Sequence, residues 1–429
     1  LPDKHLVWRI VQDHENPNLL FIGTEFGLFF TVDGGKQWTE LTGGLPTISF
    51  RDVKIQRREN DLIAGTFGRG IYILDDFSPL RKINRESLKQ EALLFPSRDA
   101  LWYLPERFHT STQGDFEFRA ENPEFGATFT YYLRDGMKSL SEKREEQENK
   151  EEEKGRYPLY PDWETIEEEL RESEPSVYLI IKNMEGEPIR KVNANSDKGI
   201  HRVTWDLRFP SSKALGIGNL DDSGSMVSPG SYTATLFSNV NGKTRKLTND
   251  VGFKVKPLFD GTVEGGVSPQ QRSAMMIDVA ELRRRLSTAE SKIEHLKAQL
   301  GSFRVALDRS SAVAGDSEIH YEKLRKAIFS LEEIISGKKS SRGFGSSAAT
   351  ISSRLSMIEY SRANTWGLTA TQKQQMIFVD TALEELEPMV EKLFREEFPD
   401  FKKALLDKGA PWIPDGLIEL YSSDSEDMD

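Results

Sequence analysis

The sequence predicts a multidomain chain that begins with β-propeller blades, continues into a β-sandwich and ends in an α-helical bundle. Three observations support this prediction. A unit of about 42 residues repeats within the first 80 residues. Short segments with alternating apolar residues then follow, separated by turn residues. From residue 270 onward, apolar residues recur every three or four positions, which is the spacing of one face of a helix.

The composition narrows the class of protein. The chain has 429 residues, of which 37% are hydrophobic and 29% charged, as in soluble globular proteins with two to four domains. A formal net charge of −12 argues against a general nucleic-acid binder, and we expect no such partner. The absence of cysteine excludes disulfides, thiolate catalysis and cysteine-ligated metals. The sequence contains no uninterrupted apolar run long enough to span a membrane, so we expect no membrane insertion. The first residue is Leu1 rather than Met, which suggests a piece of a longer protein.

The repeat in residues 1–85 predicts two blades. The segment Leu-Phe-Ile-Gly-Thr at 20–24 recurs as Leu-Ile-Ala-Gly-Thr at 62–66, and the same offset matches Phe30 with Tyr72 and Asp33 with Asp75. Each unit divides into four short strands, placed in the first unit at about 7–13, 19–24, 28–32 and 37–41. Four strands in a period near 42 indicate a propeller blade. Because two blades leave open edges, we expect the other blades upstream or in another chain.

Residues 86–260 predict the β-sandwich. Apolar or alternating runs mark its strands, and Asn241-Gly242 predicts a hairpin turn. The runs lie near 92–95, 101–104, 127–133, 177–181, 201–207, 231–236 and 253–256. A charged excursion at 138–175 interrupts them. Its run from 141 to 154 has no apolar face, which indicates a solvated helix or a disordered insertion.

Residues 268–415 predict an antiparallel helical bundle with three apolar seams and a short helix at 351–358. We expect a kink near Pro388, a Gly/Ser-rich loop at 337–347 and an acidic tail at 416–429. The first seam comprises Val279, Leu282, Leu286, Ala289, Ile293, Leu296, Leu300, Phe303 and Leu307. The second comprises Tyr321, Leu324, Ile328, Leu331 and Ile335, and the third Met376, Val379, Leu383, Leu386, Val390 and Leu393.

One motif in the first unit identifies the kind of blade. Thr31, Asp33, Gly35 and Trp38 fit the pattern Ser/Thr-x-Asp-x-Gly-x-x-Trp, the Asp-box. The pattern suits a tight turn between the two outer strands. Glycine permits positive φ, the carboxylate accepts turn N–H groups, and the tryptophan packs between blades. We therefore interpret these four residues as structural. The box is lost in the second unit, where Asp76-Phe77-Ser78-Pro79 follows Asp75.

The chain resembles the C-terminal part of bacterial sortilin-like, Asp-box (BNR) repeat propeller proteins of the glycosyl-hydrolase-like type. Beyond the Asp-box, residues 65–76 resemble the end of such propellers, and 410–412 resemble the close of such chains. Residues 205–208 and 229–232 resemble the Ig-like sandwich that follows them. The resemblance implies an exported protein, secreted or periplasmic, that uses no cofactor and binds a glycan or a peptide.

A search for chemistry finds no complete active site. The six histidines show no metal-ligand spacing, and no paired carboxylates stand out in residues 1–80. The candidate ligand-binding surface, called the mouth below, combines the turns at 25–27 and 67–69 with the entries of the innermost strands. Its candidate residues are His5, Glu25, Phe26, Arg51 and Arg69, with Trp8 and Phe50 beside them. These loop residues could instead merely pack on the neighbouring sandwich.

Three functions fit this organisation. The first is ligand binding and scaffolding without a complete active site. The alternative is a glycoside hydrolase whose catalytic carboxylates lie on upstream blades that this chain lacks. The third is a structural assembly protein that associates through its heptad seams, which seams buried inside one chain would contradict.

Overall fold

The computed structural model describes residues 1, 5–105, 122–157, 160–215, 224–258, 266–311, 315–337, 349–360, 364 and 366–414. The chain forms two compact units. The first comprises Leu1–Leu207 and Pro229–Leu258, and it holds the β-sheets that the described residues form. The second comprises Arg208–Ser228 and Phe259–Asp429 and is mainly helical. The coarse fold class, β-sheets followed by helices, is therefore confirmed.

The N-terminal repeat forms two antiparallel sheets. The first has four strands in chain order, β1 (Val7–Gln12), β2 (Leu20–Thr24), β3 (Leu28–Thr31) and β4 (Thr39–Glu40). The second has three, β5 (Phe50–Gln56), β6 (Asp61–Thr66) and β7 (Ile71–Leu74). The sequence predicted four strands in each unit. In the second unit the chain instead enters a 3₁₀ helix at Ser78–Lys82, because Pro79 cannot donate to a further strand.

The two sheets pack face to face over one apolar cluster. Its buried members are Leu19, Phe21, Leu28, Phe50, Val53, Leu62, Ala64 and Phe77. Gly23 marks the closest approach, since a Cβ there would stand 2.5 Å from the carbonyl oxygen of Phe50. Only glycine allows β2 to lie this close to β5. At the repeat-equivalent Gly65, the nearest atom to such a Cβ is 3.8 Å away, in its own sheet.

The strand register corrects part of the repeat alignment. Phe21 pairs with Phe30, whereas Ile63 pairs with Ile73. Phe30 is thus equivalent to Ile73 rather than Tyr72, and Asp33 is equivalent to Asp76 rather than Asp75. The offset grows from 42 to 43 because the turn before β7 is one residue longer than the turn before β3.

The second pair of sheets follows in the same unit. The strand order in one sheet is β13 (Gly199–Trp205), β10 (Ala127–Leu133), β8 (Ala92–Leu94). The strand order in the other is β12 (Pro188–Ala194), β11 (Ser176–Lys182), β14 (Gly230–Val240), β16 (Val251–Pro257), β9 (Ala100–Trp102). In that second sheet β15 (Lys243–Lys246) also pairs with β14. Phe129 of the first sheet contacts Phe253 of the second at a ring distance of 5.0 Å. The hairpin at Asn241-Gly242 is confirmed, with Val240 paired to Lys243.

The charged excursion forms two helices, α1 (Leu140–Glu153) and α2 (Trp163–Arg171), neither of which has a buried residue. Arg144 of α1 donates to both carboxylate oxygens of Glu169 of α2, at 2.7 and 3.1 Å. Of the two predicted states, the solvated helix is therefore the one found.

No compact-unit boundary falls at residue 85, because polar contacts join the N-terminal sheets to the strands of the second pair. Arg202 of β13 donates to the backbone carbonyls of Asp75 at 2.5 Å and Asp76 at 2.8 Å. Residues 208–228, which the sequence assigned to the sandwich, belong to the helical unit. There the backbone carbonyl of Met226 accepts a hydrogen bond of 3.1 Å from Ser273 Oγ.

The helical unit consists of α3 (Pro269–Asp308), α4 (Asp316–Ser336), α5 (Ile351–Glu359), α6 (Ala370–Lys392) and α7 (Phe398–Asp407). The predicted seams meet in a single core. Every residue of the first seam is buried there, and in the other two only Tyr321 and Met376 remain partly exposed. Seams buried inside one chain argue against assembly through them.

A kink was expected near Pro388; α6 does not end there but continues as a helix through that residue. A π-helical turn follows at Leu393–Glu397, in which the N–H of Phe398 bonds to the carbonyl of Leu393. Pro399 follows directly. Its ring would clash with the carbonyl four residues earlier, which the wider turn avoids.

Some predictions fall outside the described residues, namely the acidic tail at 416–429, most of the Gly/Ser-rich loop at 337–347, and His109. Within the described part of the chain, no helix combines the length and the apolar character needed to cross a membrane.

Candidate ligand-binding site

Two threonines shape the turns of the mouth. Thr24 and Thr66 each end the second strand of their sheet, and each hydroxyl caps the turn that follows. Thr24 Oγ1 donates to the carbonyl of Gly27 at 2.9 Å, and Thr66 Oγ1 donates to the carbonyl of Gly70 at 2.7 Å. Their backbone N–H groups bond to the same two carbonyls. The repeated Gly-Thr dipeptide was the sequence signal for this shared design, although the threonines were not among the candidate residues.

An arginine stacked between two aromatic rings forms the centre of the mouth. The guanidinium carbon of Arg51 lies 3.6 Å from the ring centroid of Trp8 and 5.2 Å from that of Phe67. Trp8 comes from β1, Arg51 from β5 and Phe67 from the turn after β6, so the group joins both sheets. Such cation–π contacts strengthen when water is displaced from them. Phe67 is 69% exposed and Trp8 38%, so much of this surface is open to a ligand.

A second group lies at the same end of the first sheet. His5 packs edge-on against Phe26 and Phe29, with ring centroids 5.5 and 5.7 Å apart. Its Nδ1 lies 3.4 Å from Thr24 Oγ1. The N–H of Glu25 donates to the carbonyl of Leu6 at 3.0 Å, which holds the turn against the chain entering β1. Phe26 is 47% exposed.

The structure therefore brings together four of the named side chains in two pairs, His5 with Phe26 and Arg51 with Trp8. The side chains of Glu25 and Arg69 stay apart from them. Among the described residues, neither forms a hydrogen bond, an ion pair or a ring contact through its side chain with the rest of the mouth. Phe50 is fully buried and supports the cluster between the sheets. The mouth offers exposed aromatic faces beside a guanidinium, an arrangement that can stack on a sugar ring or a side chain.

The Asp-box residues form a compact turn at the far edge of the first sheet. Asp33 Oδ1 accepts the backbone N–H groups of Gln37 at 3.0 Å and Lys36 at 2.9 Å, and the hydroxyl of Thr31 at 2.8 Å. These hydrogen bonds, that of Gln37 first, hold the pKa of Asp33 below its usual range. Gly35 has φ of 96°, which few other residues adopt. All three donors bind Oδ1, so this oxygen holds the turn together.

Trp38 is partly exposed rather than buried against the neighbouring sheet. A Cβ on Gly35 would stand 3.7 Å from its ring, so the indole covers its own turn.

Two other carboxylates beside the two sheets, those of Asp76 and Asp13, also have structural partners. Asp76 Oδ1 accepts the N–H and the hydroxyl of Ser78, the first residue of the 3₁₀ helix, at 3.2 and 2.6 Å. Asp13 is bound by Arg81. The described residues hold no group of three His, Asp or Glu side chains placed to bind a metal ion.

Comparisons with known proteins identify no family. No protein-family profile matches the sequence, and no curated protein matches it. Two solved structures share 12% and 11% sequence identity with the chain, at TM-scores of 0.15 and 0.14. Both are of the extracellular domain of BT4673 from B. thetaiotaomicron, described once as a one-component and once as a hybrid two-component system. The alignments cover 59% and 60% of this chain but only 26% of those chains.

Proposed function

We propose that this chain is the C-terminal, ligand-binding and scaffolding portion of an exported, sortilin-like Asp-box propeller protein. The proposal rests mainly on the stack of Trp8, Arg51 and Phe67, which places exposed aromatic faces and a cation where two repeated sheets meet. The ligand is a glycan or a peptide with an apolar face for the rings and a polar or anionic edge for Arg51. The sandwich, of Ig-like type, acts as a spacer, and the protein is secreted or periplasmic.

The face of the second sheet that points away from the first, called the outer face below, supports further blades in the same protein. It carries Ile63, Gly65, Ile71 and Ile73, which are cross-strand neighbours. The equivalent face of the first sheet is covered by the second sheet, and Leu28 is 3% exposed there. On the outer face the equivalent Ile71 is 69% exposed and Ile73 59%. A further blade of the same protein would bury these side chains and would approach Gly65 as Phe50 approaches Gly23.

Binding without hydrolysis fits the mouth better than catalysis. Hydrolysis of a glycosidic bond needs two carboxyl groups, roughly 5 to 9.5 Å apart, across the bond. Glu25 is the only carboxylate among the named mouth residues, and Asp33 and Asp76 are engaged in their turns. The glycoside hydrolase alternative therefore depends on carboxylates supplied by other blades.

The binding test screens the purified chain against an oligosaccharide array and a peptide array, and measures hits by calorimetry. Trp8→Ala and Arg51→Ala should each lower the affinity for a ligand of the mouth by about tenfold. The reason is that stacking on one aromatic ring contributes roughly 1–2 kcal/mol. The matched control is Arg58→Ala, in the hairpin at the opposite end of the same sheet, where the side chain is 82% exposed. Hits that survive both mouth substitutions would place binding elsewhere and overturn the proposal.

The outer face needs a separate test, because a ligand could bind without further blades. Ile71→Ala in this chain should change the free energy of unfolding by no more than about 0.5 kcal/mol, since its side chain is exposed. Leu28→Ala, at the equivalent buried position, should cost about 2–5 kcal/mol. In a protein that includes all the upstream blades, so that the ring closes on this face, Ile71→Ala should become as costly as Leu28→Ala. Equal, small effects of Ile71→Ala in both proteins would show that no blade covers this face.

A further inference from the structure

A cavity in the helical unit lies between α3 and α7, far in sequence from the mouth. Its volume is about 400 Å³. The lining residues are His295, Gln299, Phe394, Phe398, Pro399, Lys402, Lys403 and Leu406. Cavities of this size accommodate small organic molecules rather than polymers.

Local structure explains why the cavity exists. His295 and Gln299 are four residues apart on α3, so both point from the same face of that helix. The π-helical turn at Leu393–Glu397 widens the backbone just before α7 and carries Phe394 on the rim. Pi-helical turns of this kind occur often at functional sites. His295 and Phe394 pack together, with their ring centroids 5.6 Å apart.

Gln299 is the unusual residue of the cavity. It is buried, with only 8% of its surface exposed. Nevertheless, no described residue forms a hydrogen bond with its side-chain amide. Its amide atoms are not among the polar atoms that the described residues bury without a partner, so the amide remains accessible to water in the cavity. An amide kept unpaired on a cavity wall is therefore available to a ligand.

The remaining wall defines the chemistry of that ligand. Phe394, Phe398, Pro399 and Leu406 supply apolar surface, while Lys402 and Lys403 bring positive charge. None of the described residues that line the cavity is acidic. We infer that this cavity binds a small amphiphilic carboxylate, such as an aryl-substituted short-chain acid. Its ring lies against the phenylalanines, and its carboxylate accepts an N–H from Gln299 beside the lysines.

The experiment titrates the whole chain with 3-phenylpropionate by calorimetry, with 3-phenylpropylamine as the probe of equal size and opposite charge. The carboxylate should bind at one site and the amine should bind at least tenfold more weakly. Gln299→Leu, which keeps the volume and removes the amide, should lower the affinity for 3-phenylpropionate by about tenfold. Lys403→Gln should lower that affinity by about threefold, and this effect should be smaller at high salt. The control is Lys373→Gln, an exposed lysine at the start of α6.

Two further readouts keep each outcome decisive. Binding should shift the imidazole C2–H resonance of His295, which His295→Gln identifies by its disappearance. Gln299→Leu should not lower the melting temperature, because it removes an amide that forms no hydrogen bond with the described residues. If that variant fails to fold, Lys403→Glu, at an exposed position, replaces it and should abolish binding.

Arg51→Ala should leave the affinity unchanged, which separates this site from the mouth. No binding at 10 mM, equal binding of the amine, or a shift of another histidine would overturn the inference.

Discussion

Arg81 binds Asp13 through two hydrogen bonds, from Nε to Oδ2 at 2.7 Å and from a terminal nitrogen to Oδ1 at 2.8 Å. The same nitrogen also donates to Asn60 Oδ1 at 2.6 Å. Asp13 follows β1, and Arg81 lies in the 3₁₀ helix after β7, so the contact connects the first sheet with the chain leaving the second. The carboxylate of Asp13 has no solvent exposure.

Removing the arginine should destabilise the protein strongly. Arg81→Ala leaves the Asp13 carboxylate buried without its cation, and breaking a buried pair in this way costs about 3–5 kcal/mol. Urea unfolding followed by tryptophan fluorescence measures the change. Arg58→Ala, which breaks only the exposed pair with Glu59, should cost less than about 1 kcal/mol. A similar small cost for both variants would show that the buried pair contributes no more than a surface pair.

The same pair should give the protein an acid-sensitive stability. Burial would raise the pKa of Asp13, but the hydrogen bonds from Arg81 and from the N–H of Asn16 lower it below its usual value. A lowered pKa in the folded state adds stability above the unfolded pKa of about 4, and that stability is lost as the pH falls below it. Asp13→Asn should therefore be less stable than the parent chain at pH 7. The difference should shrink as the pH falls from 4 to 2, and a difference that stays constant would contradict this.

The two glycines of the repeat should respond differently to alanine. Gly23→Ala places a methyl group 2.5 Å from the carbonyl oxygen of Phe50, so one sheet must move, at a cost of roughly 1–3 kcal/mol. Gly65→Ala finds ordinary contact at 3.8 Å and should change the free energy of unfolding by less than about 1 kcal/mol. Thermal melts of the two variants provide the comparison, and an equal loss in both would mean that Gly65 is already covered.

Deleting residues 141–155 should leave the fold intact. That segment is essentially α1, which buries no residue. It contacts α2 through the ion pair between Arg144 and Glu169, whose side chains are 28% and 10% exposed. Since α2 buries no residue either, water can replace Arg144 around Glu169 after the deletion. We expect the melting temperature to fall by no more than the few degrees that about 1 kcal/mol produces. A drop of ten degrees or more would show that the helix supports the sheets.

The purified chain should not hydrolyse xyloglucan, mixed-linkage glucan or sialosides. A glycosidase needs an acid and a base or nucleophile across the bond, and one of the two neighbouring carboxylates at the exit of the second sheet already has a structural partner. Asp76 accepts two hydrogen bonds from Ser78. Reducing-sugar release measures the activity. Turnover that disappears in Asp75→Ala or Asp76→Ala, with the fold intact, would place an active site at the exit of the second sheet.

Features that depend on local residue type were predictable from the sequence. The apolar seam from Val279 to Leu307 could be located because burial on a helix repeats every three to four residues, and all its members are buried. Asn241-Gly242 predicted its hairpin because both residues tolerate positive φ, here 49° and 75°.

Features that depend on spatial proximity were not predictable. The turn before β7 is one residue longer than the turn before β3, which shifts the repeat offset. The sequence of a Gly-rich turn does not show at which residue the next strand begins. Arg81 and Asp13 are 68 residues apart, so no local pattern links them. The turns at 25–27 and 67–69 could be placed at one end of both sheets, yet the stacking of Arg51 on Trp8 depends on how the sheets pack. The π-helical turn before Pro399 was not expected, because a proline in the sequence does not show how the backbone around it adjusts.

The assignment of residues 208–228 to the helical unit has a practical consequence for dissecting the protein. If the chain is cut at residue 259, residues 208–228 stay on the N-terminal fragment and are separated from the helices they pack with. Met226 and Val227 of that stretch are 2% and 0% exposed. The helical fragment would lose the carbonyl that accepts from Ser273 and the N–H of Ala214 that donates to Ser287. The two halves should therefore copurify after cleavage and complement each other when mixed.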